Sequence, residues 1–258
     1  MYSDYSVFLQ EISNKDLRFV NFKSNMNYQI ILEHVSYDQG REYLGLIKNE
    51  FPFISEDKIL QYIRMNDLYG NPTKYSYTIQ SMNVECSPTS LRYVYHALLI
   101  LSHYKKFKNT KIVEIGCGYG GLFLAVQYFS NLLNIHIDQY YFIDLPEVGQ
   151  LIQKYLDLHK QNITIDYSIH KSNEFGLDIM DNDLFLISNY CFTEIDSEYR
   201  NNYVKHLLPK VNNGFIIWQT VFGLPITETK LLQKEMITVE EERPQTANLH
   251  NKNYHVYF

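Results

Sequence analysis

The chain is poor in cysteine, and the three it has are scattered. Cys86, Cys117 and Cys191 are odd in number and form no C-x-x-C pair. That argues against a disulfide framework or a zinc site and fits reduced thiols in a cytoplasmic compartment. Long apolar runs are also missing: no stretch approaches the roughly 18 residues of a membrane span. The opening "MYSDYSVFLQEISNKDLRF" has no basic segment followed by a long apolar one, so no signal peptide is expected. Nor is there a surplus of positive charge. Twenty-three Lys and Arg stand against 29 Asp and Glu, a net charge of -6, which argues against nucleic acid, whose phosphates demand a basic face. The short basic run Lys105-Lys106-Phe107-Lys108 reads as a solvated helix end.

What is present suits a globular protein. At 258 residues with 45% hydrophobic and 20% charged content, the chain can bury one sizeable core with a small accessory region. The 23 Tyr and 15 Phe reflect compositional bias rather than a stacking platform.

From residue 1 to about 80 the chain is polar and tyrosine-rich, with helical patches such as "EDKILQYIRM", where Ser55 reads as an N-cap ahead of Glu56 and Asp57. Asn66, Asp67 and Asn71 lie in a polar turn around Gly70 and Pro72. This region is expected to be a helical accessory cap, with the main domain over 81–258. There, strand and helix signals alternate. "SPTSLRYVYHALLILSHY" reads as a helix, "TKIVEIG" as a strand, and "GLFLAVQYFSNLL" as a helix with Leu122, Val126 and Phe129 on one face. Strand "DQYYFIDL", helix "EVGQLIQKYLDLHK", strands "ITIDYSI" and "DLFLISNY", and helix "SEYRNNYVKHLLPKV" follow. Asn213-Gly214 is read as a turn into strand "GFIIWQTVF", and "EMITVEEERP" and "NKNYHVYF" as two final strands. The expected fold class is α/β: a mainly parallel seven-stranded sheet with an antiparallel last strand.

The chemistry centres on "IVEIGCGYGG". Gly116, Gly118 and Gly121 spell the G-x-G-x-x-G of dinucleotide-binding loops, whereas Glu114, Gly116, Gly118 and Gly120 spell E-x-G-x-G-x-G. Both loops turn sharply after a strand and let a ligand approach bare backbone at a helix N-terminus. Glu114 separates them. An acid there accepts a hydrogen bond from the ammonium of S-adenosyl-L-methionine and repels a pyrophosphate. Asp144, ending "YYFID", can receive both ribose hydroxyls of either cofactor. Short-chain dehydrogenases need a Tyr-x-x-x-Lys well after the loop; Tyr104 and Lys108 have the spacing but precede it, and no match is expected downstream. With the antiparallel finish, the methyltransferase reading prevails.

"SPTSLRY", "VEIGCGYGG", "IDLPEV" and "SNYCFTEID" together resemble the sugar O-methyltransferase family, Rossmann-like enzymes that use S-adenosyl-L-methionine. The resemblance runs from about Asn66 to the C-terminus. It implies methyl transfer to a hydroxyl of a sugar or glycan, free or nucleotide-linked. A small-molecule acceptor, or a non-catalytic partner subunit of the same fold, remains an alternative. The cofactor residues expected are Glu114, Gly116, Cys117, Gly118, Tyr119, Gly120, Asp144 and Leu145, with Arg92 for the methionine carboxylate and Asn189 and Tyr190 beside the methyl group.

A sugar hydroxyl is a poor nucleophile near neutral pH, so a base should sit close to it. Glu194, in the loop after the fourth strand of the sheet, is the first candidate, and His250 near the last hairpin is the second. Cys191 has no histidine spaced to activate it. Asp178, Asp181 and Asp183 cluster in sequence but precede the fourth strand, so they read as a solvated turn and no metal is expected.

Overall fold

The computed structural model of the chain describes residues 2–247 and 250–258. In chain order the helices and strands are α1 (Tyr2–Ile12), α2 (Met26–Gln29), α3 (Tyr37–Glu50), α4 (Glu56–Asn66), β1 (Tyr75–Ile79), β2 (Met82–Cys86), α5 (Pro88–Tyr104), β3 (Lys111–Ile115), α6 (Gly121–Leu133), β4 (Gln139–Asp144), α7 (Pro146–His159), β5 (Asp166–Lys171), β6 (Leu184–Asn189), α8 (Ser197–His206), β7 (Val211–Gln219), β8 (Thr238–Glu241) and β9 (Asn253–Tyr257). The chain divides into two compact units. The first holds 1–99, 118–129 and 150–163; the second holds 100–117, 130–149 and 164–258.

In the second unit, seven strands form one sheet in the order β5-β4-β3-β6-β7-β9-β8. β3 pairs in parallel with β4 and β6, β4 with β5, and β6 with β7; β9 runs antiparallel to both β7 and β8. An antiparallel final strand inserted beside the fifth of a parallel set is the Rossmann-like methyltransferase arrangement. The fold class read from the sequence is the one observed. The inner strands β3 and β6 are buried on both faces, which is why both read as near-continuous apolar runs. Val113, Ile115, Leu186, Ile216, Trp218 and Val256 build the core of this unit.

Asn213 and Gly214 correct the sequence reading. They lie inside β7, not in a turn before it. The pairing skips Asn212, a bulge opposite Leu184 and Phe185. Gly214 is needed for space: a Cβ there would meet Phe258 Cζ at 2.5 Å and the Leu186 carbonyl oxygen at 2.7 Å. Its backbone exchanges hydrogen bonds with Phe258, which fastens the C-terminus to the sheet.

The first unit is helical with one hairpin, β1–β2, turning at Gln80 and Ser81, both with positive φ. The hairpin is absent from the sequence reading because its turn carries neither Gly nor Pro. α3 starts with a full capping box between Ser36 and Gln39. Ser55 does occupy the N-cap position of α4, but its side chain makes no capping hydrogen bond. α6 differs from the expected one-faced helix: Gln127 and Ser130 on its polar side are each 1% exposed. Among the described residues no helix is long and apolar enough to cross a membrane. Lys105, Lys106 and Lys108 are exposed just past α5, as expected.

Candidate active site

The parallel strands leave β3 in opposite directions, to β4 and β5 on one side and to β6 and β7 on the other. Ligands of open α/β sheets bind at such a reversal, outside the carboxyl ends of the strands. Three loops meet there in the second unit, after β3, β4 and β6.

Gly116 follows β3 with φ +79°, and its N–H donates to the Ile143 carbonyl at 3.0 Å. A Cβ on Gly116 would collide with Cβ and Sγ of Cys191 from the loop after β6. Glycine is therefore required twice here, for the left-handed backbone and for the close approach. Cys117 donates its N–H to Asp144 Oδ2 at 2.6 Å, and Leu145 donates its N–H to Oδ1 at 2.7 Å. Asp144 thus ties the glycine loop to the end of β4 and stays half-buried. It does not cap α7, since Leu145 stands between it and the helix.

Glu114 is 1% exposed and sits opposite Phe142 and Ile187 on the neighbouring strands. Its Oε2 accepts the Tyr140 hydroxyl at 2.8 Å. Burial pushes its carboxyl up to about 8, Tyr140 pulls it back, and Asp144 pushes it further. Among the described residues no cation balances this acid, and a ligand ammonium would supply one.

The loop after β6 is fastened from both ends. Ser188 Oγ donates to the Ile115 carbonyl at 3.0 Å and accepts the Phe192 N–H at 3.0 Å. Asn189 ends the strand half-buried. Tyr190 follows with φ +61°, a strained conformation for a bulky residue. Its hydroxyl donates to Glu242 Oε1, while Glu242 Oε2 accepts both the N–H and the hydroxyl of Thr246, at 2.9 and 2.7 Å. Glu242 is 1% exposed, and burial raises its carboxyl above the usual range. The Cys191 thiol is held well above its ordinary value by burial first, then by Asp144, Glu194 and Glu114. Those causes place three carboxylates around Cys191 and leave it a thiol at neutral pH, without a thiolate to attack.

The second unit thus brings Glu114, Gly116, Cys117, Asp144 and Leu145 together, with Glu194 within electrostatic reach of Cys191. His250 is exposed in the segment before β9. In the first unit, Gly118 and Gly120 also have positive φ, and Tyr119 is fully buried. Gly118 packs against Leu32, whose carbonyl accepts Arg92 Nη2 at 2.8 Å. Arg92 is 3% exposed and is no surface arginine.

The reading that no dehydrogenase spacing follows the loop is corrected by Tyr167 and Lys171, which have it. Both lie on the edge strand β5, where four extended residues separate them by about 13 Å. A helix would bring them within reach of each other. The three clustered aspartates each serve a different partner: Asp178 the His170 ring, Asp181 Lys111 and Tyr141, and Asp183 Asn212. Sequence reasoning missed Tyr140, Ser188 and Glu242. Tyr140 becomes a partner of Glu114 only through the register of β3 with β4, and Glu242 lies 52 residues from Tyr190.

No family model matches the chain, and no curated protein sequence matches it. Solved structures do. The methyltransferase domain of bacterial CtHen1-CN is 14% identical, with 63% of this chain and 96% of that one covered and a TM-score of 0.44. TehB from Haemophilus influenzae is 17% identical, over 61% and 59% of the two chains, with a TM-score of 0.42. The precorrin-6y C5,15-methyltransferase from Geobacter metallireducens GS-15 is 14% identical, over 62% and 85%, with a TM-score of 0.43.

Proposed function

We propose that this chain is an S-adenosyl-L-methionine-dependent O-methyltransferase acting on a hydroxyl of a sugar or glycan. The observation that carries the cofactor is Glu114, a buried acid at the reversal of the sheet with no cation beside it among the described residues, two residues before a glycine of positive φ. The cofactor supplies a methyl group already activated on a sulfonium. The chain's own residues do the rest. Glu114 accepts from the ammonium, Gly116 keeps side-chain bulk away, and Asp144 receives the ribose hydroxyls. Arg92, Gly118, Tyr119, Gly120, Asn189 and Tyr190 keep the cofactor roles read from the sequence.

Transfer forms an oxygen–carbon bond, breaks the sulfur–carbon bond and releases the hydroxyl proton. Glu194 is assigned that proton, because it lies close enough to Cys191 to perturb its thiol, together with Asp144 and Glu114. His250, exposed as it is, keeps second place. Residues 1–80 are assigned to acceptor recognition and 81–258 to transfer. The sugar acceptor rests on the resemblance of "SPTSLRY" and "SNYCFTEID".

The test is a screen of monosaccharides, nucleotide sugars and glycans with methyl-labelled cofactor. Label transferred to a sugar hydroxyl supports the proposal. Transfer only to phenols or other non-sugar metabolites would replace the acceptor class, and no transfer to any of these acceptors would favour the non-catalytic alternative.

A further inference from the structure

The polar turn around Asn66 and Asp67 is not a surface turn. Asn66 closes α4 and Asp67 caps its end; they are 1% and 7% exposed. Asp67 serves the start of α5, where Oδ2 accepts the Ser87 N–H at 2.7 Å and Oδ1 accepts the Ser90 hydroxyl at 2.5 Å. Asn66 reaches the glycine loop. Its Nδ2 donates to the Tyr119 hydroxyl at 3.2 Å, and its Oδ1 accepts the Tyr155 hydroxyl at 2.9 Å. Residues 118–121 read Gly-Tyr-Gly-Gly, so the Tyr119 ring is the one side chain by which this stretch can be held. Gly118 and Gly120, with φ +56° and +86°, fix nothing by themselves, because glycine moves freely among conformations.

Much of what holds that ring comes from the N-terminal segment of the same unit. Lys23 is fully buried; its N–H donates to the Gly70 carbonyl at 2.9 Å and its Nζ to the Asn66 carbonyl at 2.5 Å. The same Nζ lies 4.3 Å from the centre of the Tyr119 ring and 5.1 Å from that of Tyr155. Phe22 meets Tyr119 edge to face, with ring centres 5.6 Å apart. Leu32 closes the adjoining side, where a Cβ on Gly118 would stand 2.9 Å from its Cδ1. Burial works against the Lys23 charge, Glu33 and Asp67 work for it, and Lys74 opposes it. An ammonium over an aromatic face gains most where water is excluded. Here that contact joins the end of α4 to the glycine loop.

We infer that Lys23, with Phe22 and Leu32 beside it, is a positioning residue for the cofactor: it pins Tyr119 and so keeps residues 118–121 in the conformation that receives S-adenosyl-L-methionine. Lys23 acts through Tyr119 and through the Asn66 carbonyl. A glycine-rich loop freed from this hold samples more conformations, and apparent affinity falls with the fraction competent to bind. The inference rests on the proposed function for the identity of the cofactor. It adds that residues 22–32, part of the stretch assigned to the acceptor, also govern the cofactor.

The test compares the full chain with Lys23→Met at pH 7, well below the melting temperature of each. Arg41→Met, which removes an equal charge from an exposed side chain of α3, is the control. Calorimetry with S-adenosylhomocysteine should show binding about tenfold weaker in Lys23→Met and unchanged in Arg41→Met. Amide exchange of the cofactor-free chain should quicken over residues 118–122 in Lys23→Met. The double variant with Tyr119→Leu should bind no more weakly than Tyr119→Leu alone, since Lys23 acts through that ring. If Lys23→Met does not fold, Phe22→Leu, which keeps every charge, carries the same three measurements. A residue that merely stabilises the fold would lower the melting temperature and leave the affinity of the folded chain unchanged. The inference is overturned if Lys23→Met binds like the parent, if exchange over 118–122 is unchanged, or if the two losses add in the double variant. Failure of the parent chain to bind S-adenosylhomocysteine at all would count against the proposed function; the exchange of the free chain would still decide whether Lys23 holds the loop.

Discussion

Tyr140 donates its hydroxyl to Glu114 at 2.8 Å from the adjacent parallel strand. The register sets Tyr140 opposite Ile112, two residues before Glu114 and on the same face. That hydrogen bond favours the carboxylate, yet burial outweighs it and leaves the acid to titrate near 8. Below that pH the free protein holds Glu114 protonated. A ligand ammonium favours the ionised form, so its binding should release a proton. Affinity for S-adenosylhomocysteine should therefore rise with pH between about 6 and 8 and level off above. Calorimetry in buffers of different ionisation enthalpy would register the proton, and a flat profile would contradict the role given to Glu114.

The same acid predicts a stability effect of opposite sense. A carboxyl raised in the folded state binds its proton more tightly there than in the unfolded chain. The folded state is favoured below the unfolded value near 4.5 and loses that advantage as pH rises towards 8. The loss is on the order of 5 kcal/mol at most. Glu114→Gln should thus melt higher than the parent at pH 9, with a smaller difference at pH 5, while binding the cofactor more weakly. Thermal melts at the two pH values check this.

Gly116 and Cys191 form a second coupled pair. Gly116→Ala places a Cβ on the cysteine side chain and strains a backbone of φ +79°. A cost of roughly 1–3 kcal/mol from the backbone alone is expected, with the clash added. Cys191→Gly removes the clash but leaves the strain, so the double variant should recover part of the loss. Urea denaturation of the four proteins in this cycle measures the coupling.

Tyr190→Phe takes the phenol away from a carboxylate that is 1% exposed. Taking this donor from Glu242, whose other partners are Thr246 and Asn253, should cost about 1–3 kcal/mol. The cost should grow from pH 5 to pH 8, because the ionised acid needs the donor more than the neutral one does. Glu194→Gln, by contrast, should leave cofactor affinity unchanged and reduce methyl transfer about 100-fold or more.

The sheet was readable in the sequence because apolar patterns mark its inner strands, and the antiparallel end follows from a strand with no helix before it. The glycine loop was readable because positive φ demands glycine at Gly116, Gly118 and Gly120. What escaped depends on contacts far apart in the chain. Glu242 is one acid in a polar stretch, and it gains meaning only when the fold brings it to the Tyr190 hydroxyl, 52 residues away. Asn213-Gly214 misled because a dipeptide that favours turns here lies in regular strand pairing, its glycine required where Phe258 leaves no room for a side chain. Tyr167 and Lys171 show the converse: correct spacing on an extended strand carries no chemistry.

The central claim is the cofactor, and titration calorimetry tests it most directly. The full chain should bind S-adenosylhomocysteine at one site, should not bind NAD, and should lose the former in Glu114→Ala. Binding of NAD without any binding of S-adenosylmethionine or S-adenosylhomocysteine would contradict the account.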